Sequence, residues 1–207
     1  MSLFAKRSTA TTLEALKAEW NECKQCPFYT QRQQIVMGAG PIGAPVFVVG
    51  QAPGKEEDKT GIPFQGKGGD VTKAEFLKVG IPREHLFLTN VLICMPFTWS
   101  PSVRKAWADN CADRLEMELL IVKPKMIVAL GAPAALRFLP PGSKGETRGR
   151  WFTYRSIPGV TVISPAALNR KEQIDGKWIA KKSVRETVDA DMAMVKKLYQ
   201  QVITGGH

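Results

Sequence analysis

Residues 46–69 read VFVVGQAPGKEEDKTGIPFQGKGG, and this stretch decides the architecture. Its opening run, Val46-Phe47-Val48-Val49, is β-branched and aromatic without polar interruption, the pattern of a strand buried on both faces. The run stops at Gly50. A polar segment rich in glycine and proline follows, carrying three consecutive acids (Glu56, Glu57, Asp58) and one aromatic, Phe64. In an open α/β sheet, ligands bind beyond the carboxyl ends of the strands, so a long polar loop at this place is where chemistry belongs. A solvated crossover loop is the plainer reading. It gives no reason for an apolar Pro63-Phe64 pair set among glycines.

Outward from this stretch, strand and helix signals alternate. Residues 85–94, HLFLTNVLIC, form a second apolar run with Asn90 inside it, and 126–131, MIVALG, form a third that ends at a glycine. A strand pair is expected at 151–155 and 160–163. Helical spacing marks 12–22, with Thr12 as N-cap, and 70–79, with Asp70 as cap and Gly80 as stop. Further helices are expected at 101–123, with Trp107, Cys111, Leu115, Leu119 and Val122 near one face, and at 132–139. The last, at 184–202, turns Val188, Met192, Val195, Leu198 and Tyr199 inward. Residues 140–150 read as a basic loop, and 171–182 as a basic hairpin about Asp175-Gly176. This alternation predicts a three-layer α/β/α fold with a mostly parallel central sheet. The chain of 207 residues is read as one domain.

The formal net charge of +10 points to a polyanionic partner. The lysines are scattered, so charge alone leaves a generally basic surface as the alternative. No apolar run approaches the ~20 residues of a membrane span, and the first residues, MSLFAKRSTATT, lack the apolar core of a signal peptide. The expectation is an intracellular, non-membrane protein, and nothing in the sequence demands a dimer. Four cysteines occur, Cys23, Cys26, Cys94 and Cys111. A C-x-x-C with two distant partners in such a chain suggests a metal or a redox pair, and four thiolates suit either zinc or an iron–sulfur cluster. An amide such as Asn90 in an apolar run costs roughly 1–3 kcal/mol unless partnered. Its partner is either neighbouring backbone or a ligand.

The stretch GQAPGKEEDKTGIPFQGKGG resembles the first active-site motif of the family 4 uracil-DNA glycosylases, GE-x-PG-x-x-ED-x-x-G-x-PF-x-G-x-(A/G)-G. The resemblance continues in GIPREHLFLTNVLICMP at 80–96, in a C-x-x-C after a short helix, in the 126–131 strand, and in RGRW at 148–151. It covers roughly residues 12–170. It implies a [4Fe–4S] cluster on Cys23, Cys26, Cys94 and Cys111, with zinc as the alternative. It further implies that Phe64 stacks on an extruded base and Asn90 reads the base's Watson–Crick edge. DNA contacts would fall to Arg148, Arg150 and Arg170, with Leu168 as the apolar wedge that fills the vacated stack.

The departures from the family fall on the chemistry. Gln51 stands where the family has Glu, and Ser164 where it has the His of H-P-S. The Arg and the Asn-Arg pair that follow the third cysteine are absent from 95–101, where Trp99 adds an aromatic. Hydrolysis of an N-glycosidic bond asks an enzyme to extrude the base, stabilise charge on it and hold a water near the sugar. Gln51, Glu57, Asp58 and Ser164 are the candidates for the last task. The resulting expectation is a monofunctional DNA glycosylase acting on uracil or a related modified base. The alternative is a catalytically silent DNA- or protein-binding member of the same superfamily.

Overall fold

A computed structural model describes residues 8–97, 107–143, 147–169, 171–174, 177–180 and 182–205. The central sheet contains β1 (Val46–Gly50), β2 (Leu86–Asn90), β3 (Met126–Leu130), β4 (Trp151–Tyr154) and β5 (Ile157–Val162), in the order β2-β1-β3-β5-β4. The first four in that order run parallel. β4 pairs antiparallel with β5 at the edge. The hairpin joining them turns through Arg155 and Ser156, both at positive φ (48° and 66°), the geometry of the two-residue turns that match strand twist.

Side chains alternate across a strand, and the core divides accordingly. Val46 and Val48 of β1, with Met126 and Val128 of β3, face one side, where they meet Phe76, Val188, Met192 and Val195. Those partners come from α3 (Lys67–Lys78) and α6 (Lys182–Thr204). Phe47, Val49, Ile127 and Ala129 face the other side and meet Leu115, Leu119, Ala134 and Phe138. These belong to α4 (Ala112–Val122) and α5 (Ala132–Phe138). The three-layer architecture follows from that division. A third apolar cluster, around Leu16, Trp20, Phe28 and Ile93, joins α1 (Leu13–Trp20) to the segment after β2. Among the described residues no helix is long and apolar enough to cross a membrane.

Several expected boundaries shift. Thr12 does cap α1, its side chain accepting from the Ala15 N–H at 3.1 Å. Asp70 does not cap its helix. α3 starts at Lys67 with Gly66 as N-cap, and Asp70 lies in the first turn, paired with Lys73 at 3.0 Å. The acids expected in a loop sit on a short helix, α2 (Lys55–Thr60). The expected strand at 85–94 leaves the sheet after Asn90. The helix expected over 101–123 is seen at 107–110 and in α4, with its earlier part outside the described residues. β6 (Lys171–Ile174) and β7 (Lys177–Ala180) pair antiparallel as the expected hairpin. Its Asp175-Gly176 turn lies outside the described residues.

Gly159 of β5 sits opposite Phe152 of β4, and a Cβ at Gly159 would lie 2.2 Å from the Phe152 ring. That ring stacks on Phe138 at 5.5 Å. Gly159→Ala should therefore displace the ring and cost about 1–3 kcal/mol, read as a lower Tm in thermal unfolding.

Candidate active site

Four strands deliver residues to one small cavity of about 170 Å3. Gly50 ends β1, Asn90 ends β2, Leu130 ends β3, and Ser164 follows β5; Gln51, Glu57, Phe64, Gly68, Gly69 and Thr72 complete most of the lining. The site lies where β1 is flanked by β2 on one side and β3 on the other, the reversal point at which open α/β sheets bind ligands. Its volume is well below the ~300–1,000 Å3 of pockets for drug-sized ligands and suits one planar ring.

Two glycines shape this cavity. A Cβ on Gly50 would fall 2.3 Å from Asn90 Oδ1 and 2.9 Å from Phe64 Cζ, so the amide and the ring occupy space that any other residue would fill. A Cβ on Gly69 would fall 2.1 Å from the Phe64 carbonyl oxygen. The first turn of α3 therefore presses against the Phe64 backbone. Phe64 itself is held at φ 56°, a left-handed conformation that a bulky L-residue adopts only when its surroundings impose it. Phe64 is half-buried and packs against the sheet core on one side. Asn90 is 5 % exposed.

The acids divide in role. Glu57 accepts from the Gly54 N–H and from the Gly66 N–H, both at 3.0 Å. It thereby ties the start of α2 to the start of α3 while still lining the cavity. Asp58 does not line it. This residue is 2 % exposed, and its two oxygens accept from the Gln33 N–H at 3.2 and 3.1 Å. Asp58 is thus a latch between α2 and the segment behind the first cysteine pair, not a group facing a reacting atom. Ser164 is positioned by the end of β5, where the Ile163 N–H donates to Asp191 Oδ2 at 2.7 Å.

The expected DNA contacts are less uniform. Leu168 is 6 % exposed and packs into the core with Val162 and Val188. As an intercalating wedge it would first have to leave that core. Arg148 lies 3.9 Å from Asp191, beside the exit of β5. Arg150 borders a different and larger groove of about 1190 Å3 between α5 and β4. Of the expected site residues only Arg150 lines it, and its other walls are chiefly apolar. Arg170 and Trp99 lie outside the described residues.

The four cysteines converge on the third apolar cluster. Cys23 follows α1, Cys26 opens the turn at Pro27–Thr30, Cys94 follows β2, and Cys111 precedes α4. Asn110 donates to the Gln25 carbonyl at 2.6 Å, tying the two pairs together. Arg32 donates to Cys94 Sγ at 3.2 Å and to the Asn21 carbonyl at 2.8 Å. Burial pushes the Cys111 thiol up to about 12 and raises those of Cys26 and Cys94, and each of the three feels the charge of at least one other cysteine. Thiols in this state give up protons when a metal replaces them. Among the described residues no three His, Cys, Asp or Glu side chains come together as one metal ion would require. A cubane takes each thiolate on a separate iron and spreads its ligands wider than a single tetrahedral ion does.

Sequence reasoning passed over Gly69, Thr72 and the buried pair Arg114 and Glu118. Two opposite charges four residues apart beside Leu115 and Leu119 were the available signal.

The sequence model of the uracil DNA glycosylase superfamily matches residues 37–187. The type-4 uracil-DNA glycosylase of Thermotoga maritima is 36 % identical over 194 residues, which is 89 % of this chain and 95 % of that protein. The type-4 enzyme of Pyrobaculum aerophilum is 31 % identical over 176 residues, 80 % of this chain and 89 % of that one.

Asp58→Ala should leave the Gln33 N–H without its acceptor and cost about 1–3 kcal/mol. Urea denaturation should show the lower midpoint.

Proposed function

The chain belongs to the uracil DNA glycosylase superfamily, in its type-4 branch, and from that premise we propose how its residues carry out hydrolysis of the N-glycosidic bond of uracil, or a related modified base, in DNA. The observation that carries the reading is the shared space at Gly50, where the Asn90 amide and the Phe64 ring come together. A base swung out of the duplex is placed against the Phe64 face, and the Asn90 amide pairs with its Watson–Crick edge. An amide offers both a donor and an acceptor, which match a carbonyl and the neighbouring N–H of a uracil edge. The backbone N–H groups of the first turn of α3 lie at the positive end of a helix, where negative charge on the departing base is stabilised.

The water step falls to Gln51 and Ser164. Neither is a strong base. The transition state is close to an oxocarbenium ion, so the water needs orientation more than deprotonation, and an amide oxygen and a hydroxyl supply that. Glu57, with each oxygen already accepting a backbone N–H, keeps the loop in shape and adds negative charge near the developing sugar cation. Asp58 acts only through the loop.

Cys23, Cys26, Cys94 and Cys111 are assigned as the ligands of a [4Fe–4S] cluster, which when bound would brace α1 and the 91–94 segment against α4. Supporting this are the four-thiol donor set and the Arg32 hydrogen bond to Cys94. The partner is DNA containing a modified base, bound by a monomer, with Arg148 and Arg170 contacting phosphates.

The test is incubation of anaerobically purified protein with uracil-containing oligonucleotides, opposite guanine, opposite adenine and single-stranded, followed by alkaline cleavage of abasic sites. Wild type should release uracil, and Asn90→Ala should be slower by roughly 10²–10³-fold, the scale of losing one preorganised donor. Gln51→Glu should raise the turnover. Full DNA binding with no release from any of the three would overturn the uracil assignment and leave another modified base or the silent-binder reading, which Gln51 and Ser164 favour. Separately, Cys111→Ser should lower bound iron and acid-labile sulfide per chain and bleach the visible absorption of the cluster.

A further inference from the structure

Arg114 and Glu118 of α4 are both fully buried, with their side chains 2.8 Å apart. A buried ion pair is weak evidence for stability, since well-packed apolar residues of the same size often hold a core at least as well. This pair also leaves Arg114 Nε without a hydrogen-bond partner among the described residues. What a guanidinium does that an apolar side chain cannot is donate several hydrogen bonds from one rigid plane. The acceptors it meets are consecutive. Nη1 donates to Thr89 Oγ1 at 3.0 Å, and Nη2 to the carbonyls of Asn90 at 2.6 Å and Val91 at 2.8 Å. Glu118 completes the grip by accepting from the Thr89 hydroxyl at 2.6 Å and from the Gly38 N–H at 2.7 Å.

We infer that Arg114 is a positioning residue for the base pocket: it fixes the backbone on both sides of Asn90 and so sets where that amide stands. β2 is an edge strand of the sheet, and its last residue has β1 on one side only. Beyond β2, Ala39 bridges Leu88 and the Val36 N–H donates to the Ile93 carbonyl at 2.8 Å; between these two points Arg114 holds the carbonyls of Asn90 and Val91 from the helix layer. The tolerance is small, because the amide oxygen fits into a gap that one methyl group on Gly50 would close. A displacement of a few tenths of an ångström at residues 89–91 would move Asn90 relative to both Phe64 and a bound base. The inference rests on Asn90 as the base-reading residue proposed above.

Two variants separate positioning from folding. Arg114→Lys keeps a cation beside Glu118 and loses the planar set of donors. Arg114→Met with Glu118→Gln removes both charges together and keeps an acceptor for the Gly38 N–H. Each is compared with wild type and Asn90→Ala, alone and combined with Asn90→Ala, by Tm, by affinity for a uracil-containing oligonucleotide and by single-turnover release of uracil. In the variants that fold, the release rate should fall on the order of 10²-fold, the scale of a misplaced group, with affinity for DNA changed little. The loss should not add to that of Asn90→Ala, as expected for two groups acting through one another. Wild-type release rates in folded Arg114 variants, or losses that multiply with that of Asn90→Ala, overturn the inference and leave the base reading intact. Undiminished release by Asn90→Ala overturns the base reading and this inference together.

Discussion

A missing methyl group at Gly50 is the constraint on which the site depends. β1 ends there, in the middle of the sheet, with no side chain of its own. The amide from β2 and the ring from the loop after α2 move into the vacated volume. Each was brought there by a separate device. Arg114 holds the strand end that carries Asn90, and Gly69 lets α3 press against the Phe64 backbone until that residue takes a left-handed conformation. Close-packed interiors transmit small displacements. The cavity is therefore defined by backbone positions several residues away from it.

The same sheet explains why the cavity is small and lies at the strand ends. Parallel strands buried on both faces have no solvent-facing side for a groove. Polar groups can gather only at the carboxyl ends, and there the loops from β1 and β5 meet the first turn of α3. The larger groove between α5 and β4 arises instead at the antiparallel edge, where the layer of helices stops. Its walls are chiefly apolar and lack the amides of the smaller cavity. Size alone would have selected the wrong place.

Much of this was legible in the sequence. The apolar runs at 46–49, 86–89 and 126–130 needed no partner to be recognised, because a strand buried on both faces reads as an unbroken run. The grouping of Gln51, Glu57, Phe64, Asn90 and Ser164 followed from the motif and from the rule for strand ends. Other features depend on contacts between distant residues. α2 is fixed by the Glu57 bonds to Gly54 and Gly66, and Asp58 is claimed by a backbone N–H twenty-five positions earlier in the chain. Leu168 is an apolar residue in a loop, and only packing decides whether it stands out or turns in. Arg114 was hidden for a related reason: its acceptors include main-chain carbonyls, which every residue carries and no sequence pattern marks.

The order of the four cysteines along the chain has a consequence for biosynthesis. Chains fold N-terminal part first as they are made. Cys23 and Cys26 leave the ribosome on the segment behind α1, before any strand of the sheet exists, and Cys94 appears only after β1 and β2 have been made. Cys111 comes later still, at the start of α4. A group that needs all four thiols thus finds its ligand set incomplete through the first half of translation. Its ligand set would be complete when only β1 and β2 of the sheet have been made, before β3, β4 and β5 exist.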